Sequence, residues 1–142
     1  MAAADFYALQ GGGADDNPAT VAVGGPVLFP RTGSVVGTGI TSTSSSTFQL
    51  SSIGTYRIDF QVSISEAGQL GLAIGGNLLT ASVVGRATGT SQIVGTCLLT
   101  TVVVNEVVSV VNPSGNSTAL TVTPLAGGAN TVSAHLVIVR IA

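Results

Sequence analysis

The chain has no lysine and no tryptophan, a single cysteine and a single histidine, and only 7% charged residues where an average soluble protein has roughly 25%. Each shortage closes off a class of function. Four arginines against six acidic residues give a net charge of -2 and a pI near 4.9, so there is no basic footprint for nucleic-acid phosphates or an anionic bilayer. Nucleic acid and membrane insertion are therefore not expected among its partners. A lone Cys97 cannot close an internal disulfide, and beside Leu98 and Leu99 it reads as a small core hydrophobe. A lone His135 excludes a His-rich metal site. No segment carries sustained helical spacing.

With so little charge, solubility must come from Ser, Thr, Asn and Gly. Mean hydropathy is +0.61, and the charge-free stretches 67–85 and 87–105 approach the length of a membrane span. Gly, Ser, Thr, Gln and Asn interrupt both, so they read as strands and turns. The opening MAAADFYALQ has no basic segment followed by an apolar one and is not a secretory signal. A length of 142 residues suits one domain with a real core. The whole chain is read as that domain, with residues 1–4 as a junction to a preceding segment.

What is present is alternation. In GTYRIDFQVSIS, from Gly54 to Ser65, Tyr56, Ile58, Phe60, Val62 and Ile64 share one face while Arg57, Asp59, Gln61 and Ser63 share the other. A period of two marks a strand buried on one side. Further short apolar runs predict strands over 5–9, 20–23, 26–29, 47–50, 69–74, 77–84, 91–104, 106–112, 119–123 and 131–141. Gly75, Gly76 and Asn77 supply a tight hairpin, and Asn112-Pro-Ser-Gly and Pro124-Leu-Ala-Gly-Gly are turn chemistry. The pattern predicts an all-β antiparallel sandwich or barrel.

The last strand points to self-association. Beyond His135 both of its faces turn apolar, with Leu136 and Ile138 on one and Val137, Val139 and Ile141 on the other. A sandwich core hides one face, and leaving the second wet would forgo roughly 1.5–3 kcal/mol per side chain. A subunit interface through His135, Val137, Val139 and Ile141 is the expectation, reinforced by Val108 and Val110 in a segment apolar at both parities. Arg57 and Asp59 would face the same neighbour and then need partners, because an unpaired buried charge is costly.

A search for chemistry finds little. His135 and Ser133 share a strand face, but no G-x-S-x-G elbow accompanies them, and no catalytic residue is assigned. Asp15-Asp16-Asn17 is the one acidic cluster and is cut short by Pro18, so it reads as an Asx-turn in preference to a calcium loop. Glu66 and Glu106 are isolated, and Gly11-Gly-Gly lacks the lysine and helix of a phosphate loop. No metal or cofactor is assigned. Asn116-Ser117-Thr118 matches the glycosylation sequon.

Several segments together carry a family likeness: Gly39-Ile-Thr, Thr47-Phe-Gln-Leu, Gly54-Thr-Tyr-Arg-Ile-Asp-Phe-Gln-Val-Ser, Val84-Gly-Arg-Ala-Thr-Gly-Thr-Ser-Gln-Ile-Val-Gly, Asn112-Pro-Ser-Gly-Asn-Ser-Thr-Ala-Leu and Ser133-Ala-His-Leu-Val-Ile. In order and spacing they resemble the tumour-necrosis-factor and complement-subcomponent-q superfamily. The likeness is to the C-terminal heads of collagen-like exosporium glycoproteins of spore-forming bacteria, clostridial type. The resemblance implies a jelly roll of about ten strands, a homotrimer, a collagen-like stalk upstream, no enzymatic activity and a place on the spore surface. A collagen triple helix needs three chains in register before Gly-X-Y stacking can propagate, and a trimeric head meets that need.

Two further readings compete with a purely structural head. One is a recognition module for a host surface protein, complement component or glycan, with Asp15, Asp16, Arg31 and Arg86 as candidate binding-loop residues. The other is the tip of a phage or bacterial fibre.

Overall fold

The alternation is realised in a computed structural model that describes residues 1–142 and contains strands and no helix. In chain order the strands are β1 (Ala2–Gly11), β2 (Ala14–Asp15), β3 (Thr20–Val21), β4 (Arg31–Val36), β5 (Ile40–Ser42), β6 (Phe48–Leu50) and β7 (Thr55–Ile64). They continue with β8 (Gly68–Ile74), β9 (Asn77–Arg86), β10 (Ser91–Thr100), β11 (Glu106–Val111), β12 (Leu120–Thr121) and β13 (Val132–Arg140). The first sheet places β10, β7, β13 and β1 side by side, and the far edge of β1 is completed by β4 and, at its end, by β2. The second sheet runs β5, β6, β11, β8, β9, while β12 and β3 form a short ribbon. All pairs are antiparallel, and the first and last long strands lie together at the centre of one layer. This is jelly-roll connectivity.

The strand that the sequence marked most clearly occupies the middle of the core. Tyr56, Ile58, Phe60, Val62 and Ile64 of β7 are buried, and Ala4, Phe6, Ala8, Leu136 and Ile138 extend that inward layer across β1 and β13. Facing them from the second sheet are Phe48, Leu50, Leu70, Leu72, Val108 and Val110. Phe48 ties the layers together, with its ring centroid 4.5 Å from Phe6 and 6.2 Å from Phe29. Tyr56 keeps its ring in the core and donates its hydroxyl to Ser52 O at 2.7 Å. A buried phenol needs such an acceptor.

The turns follow the residues that permit them. Gly75 and Gly76 both have positive φ, as a two-residue type I′ hairpin between β8 and β9 demands, and Asn77 closes the ladder opposite Ile74. Deeper in the fold, Gly95 of β10 lies opposite Phe60, and a Cβ there would fall 2.3 Å from Phe60 Cζ. The aromatic ring occupies the space that a side chain would fill.

Four expectations are corrected. Residues 26–29 form no strand. Pro26 and Pro30 remove two backbone donors, so Val27 and Phe29 are anchored by single bonds to Val110 O and Ser45 O while their side chains enter the core. The strand expected over 91–104 ends at Thr100, because Thr101 turns the chain by donating its N–H to Gly54 O and accepting from Gly54 N on its hydroxyl. β4 and β5 were not foreseen, since β4 is exposed along its whole length and shows no alternation. The first strand, expected over 5–9, already begins at Ala2: Ala2, Ala3 and Ala4 pair with Arg140, Val139 and Ile138 inside the first sheet.

Gly95→Ala should lower stability by about 1–3 kcal/mol, the usual cost of overpacking a filled core. Urea unfolding measures it, and an unchanged midpoint would mean that Phe60 yields freely.

Candidate interaction surface

The outward face of the first sheet gathers most of the residues singled out in the sequence. Strand register arranges them in three rows running from β10 through β7 and β13 to β1: Val94, Gln61, His135 and Tyr7; Thr96, Asp59, Val137 and Asp5; Leu98, Arg57, Val139 and Ala3. Apolar side chains thus alternate with a few polar ones on a surface four strands wide. A hollow of about 390 Å³ lies between the first two rows, bounded by Asp59, Gln61, Val94, Thr96, His135 and Val137.

Each charge in the rows has a partner in the same chain. Arg57 Nε lies 3.0 Å from Asp59 Oδ2, and His135 Nδ1 lies 2.9 Å from Asp5 Oδ1. The Tyr7 ring stacks on the His135 imidazole at 5.7 Å. As exposed pairs these are worth about 0–1 kcal/mol each. Their greater consequence is that, were the face covered, Arg57 and Asp59 would remain paired with each other and Asp5 would keep its hydrogen bond to His135.

Each lateral margin of this sheet carries two exposed apolar side chains. On the β10 side Val94 and Leu98 are 59% and 64% exposed, and on the β4 side Val35 and Val36 are 51% and 53% exposed. The Val94–Leu98 pair and the Val35–Val36 pair are two unlike patches of the kind a head-to-tail ring contact requires. Arg57, Asp59, His135, Val137 and Val139 are therefore brought together on one face. Ile141 stands apart, exposed just beyond β13, where its N–H bonds Thr55 O.

Val108 and Val110 are not on any surface. They are 1% and 0% exposed within the chain, because β11 turns that parity inward, so their expected place in an interface is corrected to the core. Ala3, Tyr7, Val94 and Leu98 belong to the face and were missed. Tyr7 follows Phe6, and two adjacent aromatics obscure which of them faces in. Leu98 lies between Cys97 and Leu99 in a run whose period is equally hidden.

The four loop candidates are used by the fold. Arg31 lies in β4, where its guanidinium meets the Asp16 carboxylate through Nε at 2.6 Å and Nη2 at 3.2 Å. Asp16 also accepts the Leu9 N–H, and the Arg31 bond is the main reason its carboxyl titrates below the ordinary value. Asp15 accepts from Gly11 N at 3.0 Å. Arg86 donates to the carbonyls of Ile64, Glu66, Gly89 and Ser91, clamping the β7–β8 and β9–β10 connections together. Reading Arg86 as a ligand contact is corrected accordingly: its charge is held by four backbone oxygens.

Glu66, isolated in the sequence, joins the β12 ribbon to the sandwich by accepting the Thr121 N–H at 2.7 Å and the Thr121 hydroxyl at 2.6 Å. Burial pushes its pKa up, but these two bonds outweigh that effect and hold it below the ordinary value. Cys97 packs against the core on the inward side of β10, across the sheet from His135, so these two do not meet. Burial, with a smaller push from Asp59, raises the thiol pKa above its ordinary value. No three His, Cys, Asp or Glu side chains converge as metal ligands.

No protein-family model and no curated protein matches the chain. Solved structures do. The globular domain of zebrafish complement 1qA superposes with a TM-score of 0.66 at 14% identity, covering 100% of this chain and 98% of that one. Murine APRIL superposes with a TM-score of 0.60 at 14% identity, covering 98% and 99%. At such identity the likeness is one of fold, and the fold is the complement-1q and tumour-necrosis-factor jelly roll.

Stability should fall in acid through Glu66 and Asp16. A carboxylate with a depressed folded pKa contributes fully above its unfolded value, here near 4.5 for Glu66 and 3.8 for Asp16, and the contribution is lost as pH drops through the folded value. Glu66→Gln should lower the melting temperature at neutral pH and flatten the decline below pH 4.5. Parallel melting curves for variant and parent across that range would show that the Thr121 bonds contribute nothing.

Proposed function

We propose that this chain is a non-enzymatic homotrimeric head that assembles and registers a collagen-like filament on a bacterial spore surface and displays its loops to host or environment. The observation that carries the reading is the outward face of the first sheet, semi-apolar in its rows, with exposed apolar pairs at both margins and Arg57 already paired with Asp59. Rotation about a three-fold axis sets the β10 margin of one subunit against the β4 side of the next, and the third contact closes the ring. Burial of Val94, Leu98, Val137 and Val139 supplies the driving force, at roughly 25 cal/mol per Å² of apolar area removed from water.

Geometry supports the stalk as well. β1 opens the chain at the pole where Ala2 meets Arg140, far from the hydroxyl-rich loops between β9 and β10 and between β11 and β13. In a trimer whose axis runs along the strands, the three starts share one pole, as a triple helix nucleated by the head needs. The spore-surface location and the glycoprotein character rest on the sequence motifs named above. The complement-1q and APRIL likenesses support the head architecture.

Val94→Asp and Val139→Asp should each dissociate the trimer while the β-sandwich persists, seen as a slower sedimentation coefficient with unchanged far-ultraviolet circular dichroism. Val108→Asp should instead unfold the chain. If both surface variants sediment like the parent, the face is not the interface.

A further inference from the structure

Resting on the trimer reading, we propose that assembly is proton-linked: covering the outward face of the first sheet draws one proton per subunit onto the His135–Asp5 pair. The trimer then tightens in mild acid and loosens above neutrality.

Asp5 is a carboxylate with a single partner. His135 Nδ1–H donates to its Oδ1 at 2.9 Å across the β1–β13 ladder, while Oδ2 lies against β4, where a Cβ on Gly33 would fall 2.9 Å from it. Water solvates the charge in the single chain, because the His135 and Asp5 side chains are 35% and 31% exposed. Both stand in the rows that a neighbouring subunit would cover. A carboxylate taken out of water without a compensating charge is costly.

No arginine is free to supply that charge, in this copy or the next, and the chain has no lysine. Arg57 is paired with Asp59 and Arg31 with Asp16. Arg86 is held by four carbonyls at the turns beyond β7 and β9, and Arg140 by those of Ile53 and Ala142. Arg140 also falls on the opposite parity of β13 from His135, Val137 and Val139. What remains is a proton on His135.

The groups that face the pair do not titrate with it. Tyr7 of β1 stacks on the imidazole, and Asp59 and Arg57 of β7 hold each other. Arg31 of β4 stands opposite Tyr7 and is held by Asp16, and β10 presents Val94, Thr96 and Leu98 to this face. Imidazole is the side chain that changes charge between about pH 5 and 8. With the ring neutral the pair carries one negative charge, and with the ring protonated it carries none, so the proton belongs to the pair as a unit. The state that binds more protons gains as pH falls, which here is the trimer.

The test is the concentration at which the trimer of the full chain half-dissociates on dilution, measured by analytical sedimentation at fixed ionic strength between about pH 5.5 and about pH 8. Expected is a rise of at least about tenfold from the acid to the alkaline end, as proton uptake at each subunit requires. Asp5→Asn should remove the rise and hold the trimer, across the range, as tight as the parent in acid. His135→Gln keeps a donor but takes no proton, and should leave the trimer as loose in acid as the parent is at the alkaline end. Where dilution does not dissociate the parent, exchange between isotope-labelled and unlabelled subunits, followed by native mass spectrometry, reads the same effect. It should be faster at the alkaline end in the parent and not in Asp5→Asn. A trimer whose dissociation or exchange ignores pH, or an equal slope in Asp5→Asn, would overturn the proton linkage with the trimer intact. A single chain throughout the range would overturn the trimer itself and the linkage with it.

Discussion

The antiparallel ladder of β7 between β13 and β10 is the constraint on which the rest depends. Its seven pairs to β13 and ten to β10 run without a bulge, so each side chain's face is fixed from Tyr56 to Ile64. A slip of one residue would bury Arg57 and Asp59 and expose Ile58 and Phe60. The same register that fills the core also writes the outward rows, so core and interaction surface are two readings of one pairing.

That coupling explains the economy of charge. With ten charged side chains in the molecule, few are left unpaired, and most hold connections in place: Arg31 with Asp16, Arg86 with four carbonyls, Glu66 with Thr121. On the sheet face Arg57 and Asp59 neutralise each other, and Asp5 is hydrogen-bonded by His135. A chain without lysine also lacks the residue most used to guard exposed strand edges, and the apolar margins at β10 and β4 are left open to pairing with a neighbour. The two ends of the sandwich differ as well. Hydroxyls and amides line the hollows at one end, whereas Ile53, Val102, Val103 and Val104 are exposed at the other.

Much of this was legible in the sequence, and the failures have physical causes. β7, the Gly75-Gly76 hairpin and the double-sided character of β13 were readable because alternation and positive-φ glycines are local signals. Arg57, Asp59, His135, Val137 and Val139 fall together as expected. The core position of Val108 and Val110 was not readable, since Glu106–Val111 is apolar at both parities and only pairing with β8 decides which parity faces in. Arg86 looked free because its acceptors are backbone oxygens, two of them 20 and 22 residues away, that no motif reveals. β4 escaped because an exposed edge strand has no burial pattern to read.

The central claim is that the outward face of the first sheet is closed by two further copies of the chain. Its most direct test is the solution mass of the unmodified protein, by light scattering coupled to size exclusion at micromolar concentration. The account predicts three times the 14.0 kDa of one chain. A particle of 14.0 kDa would contradict it and return the Val137–Val139 face to ordinary solvent-exposed sheet.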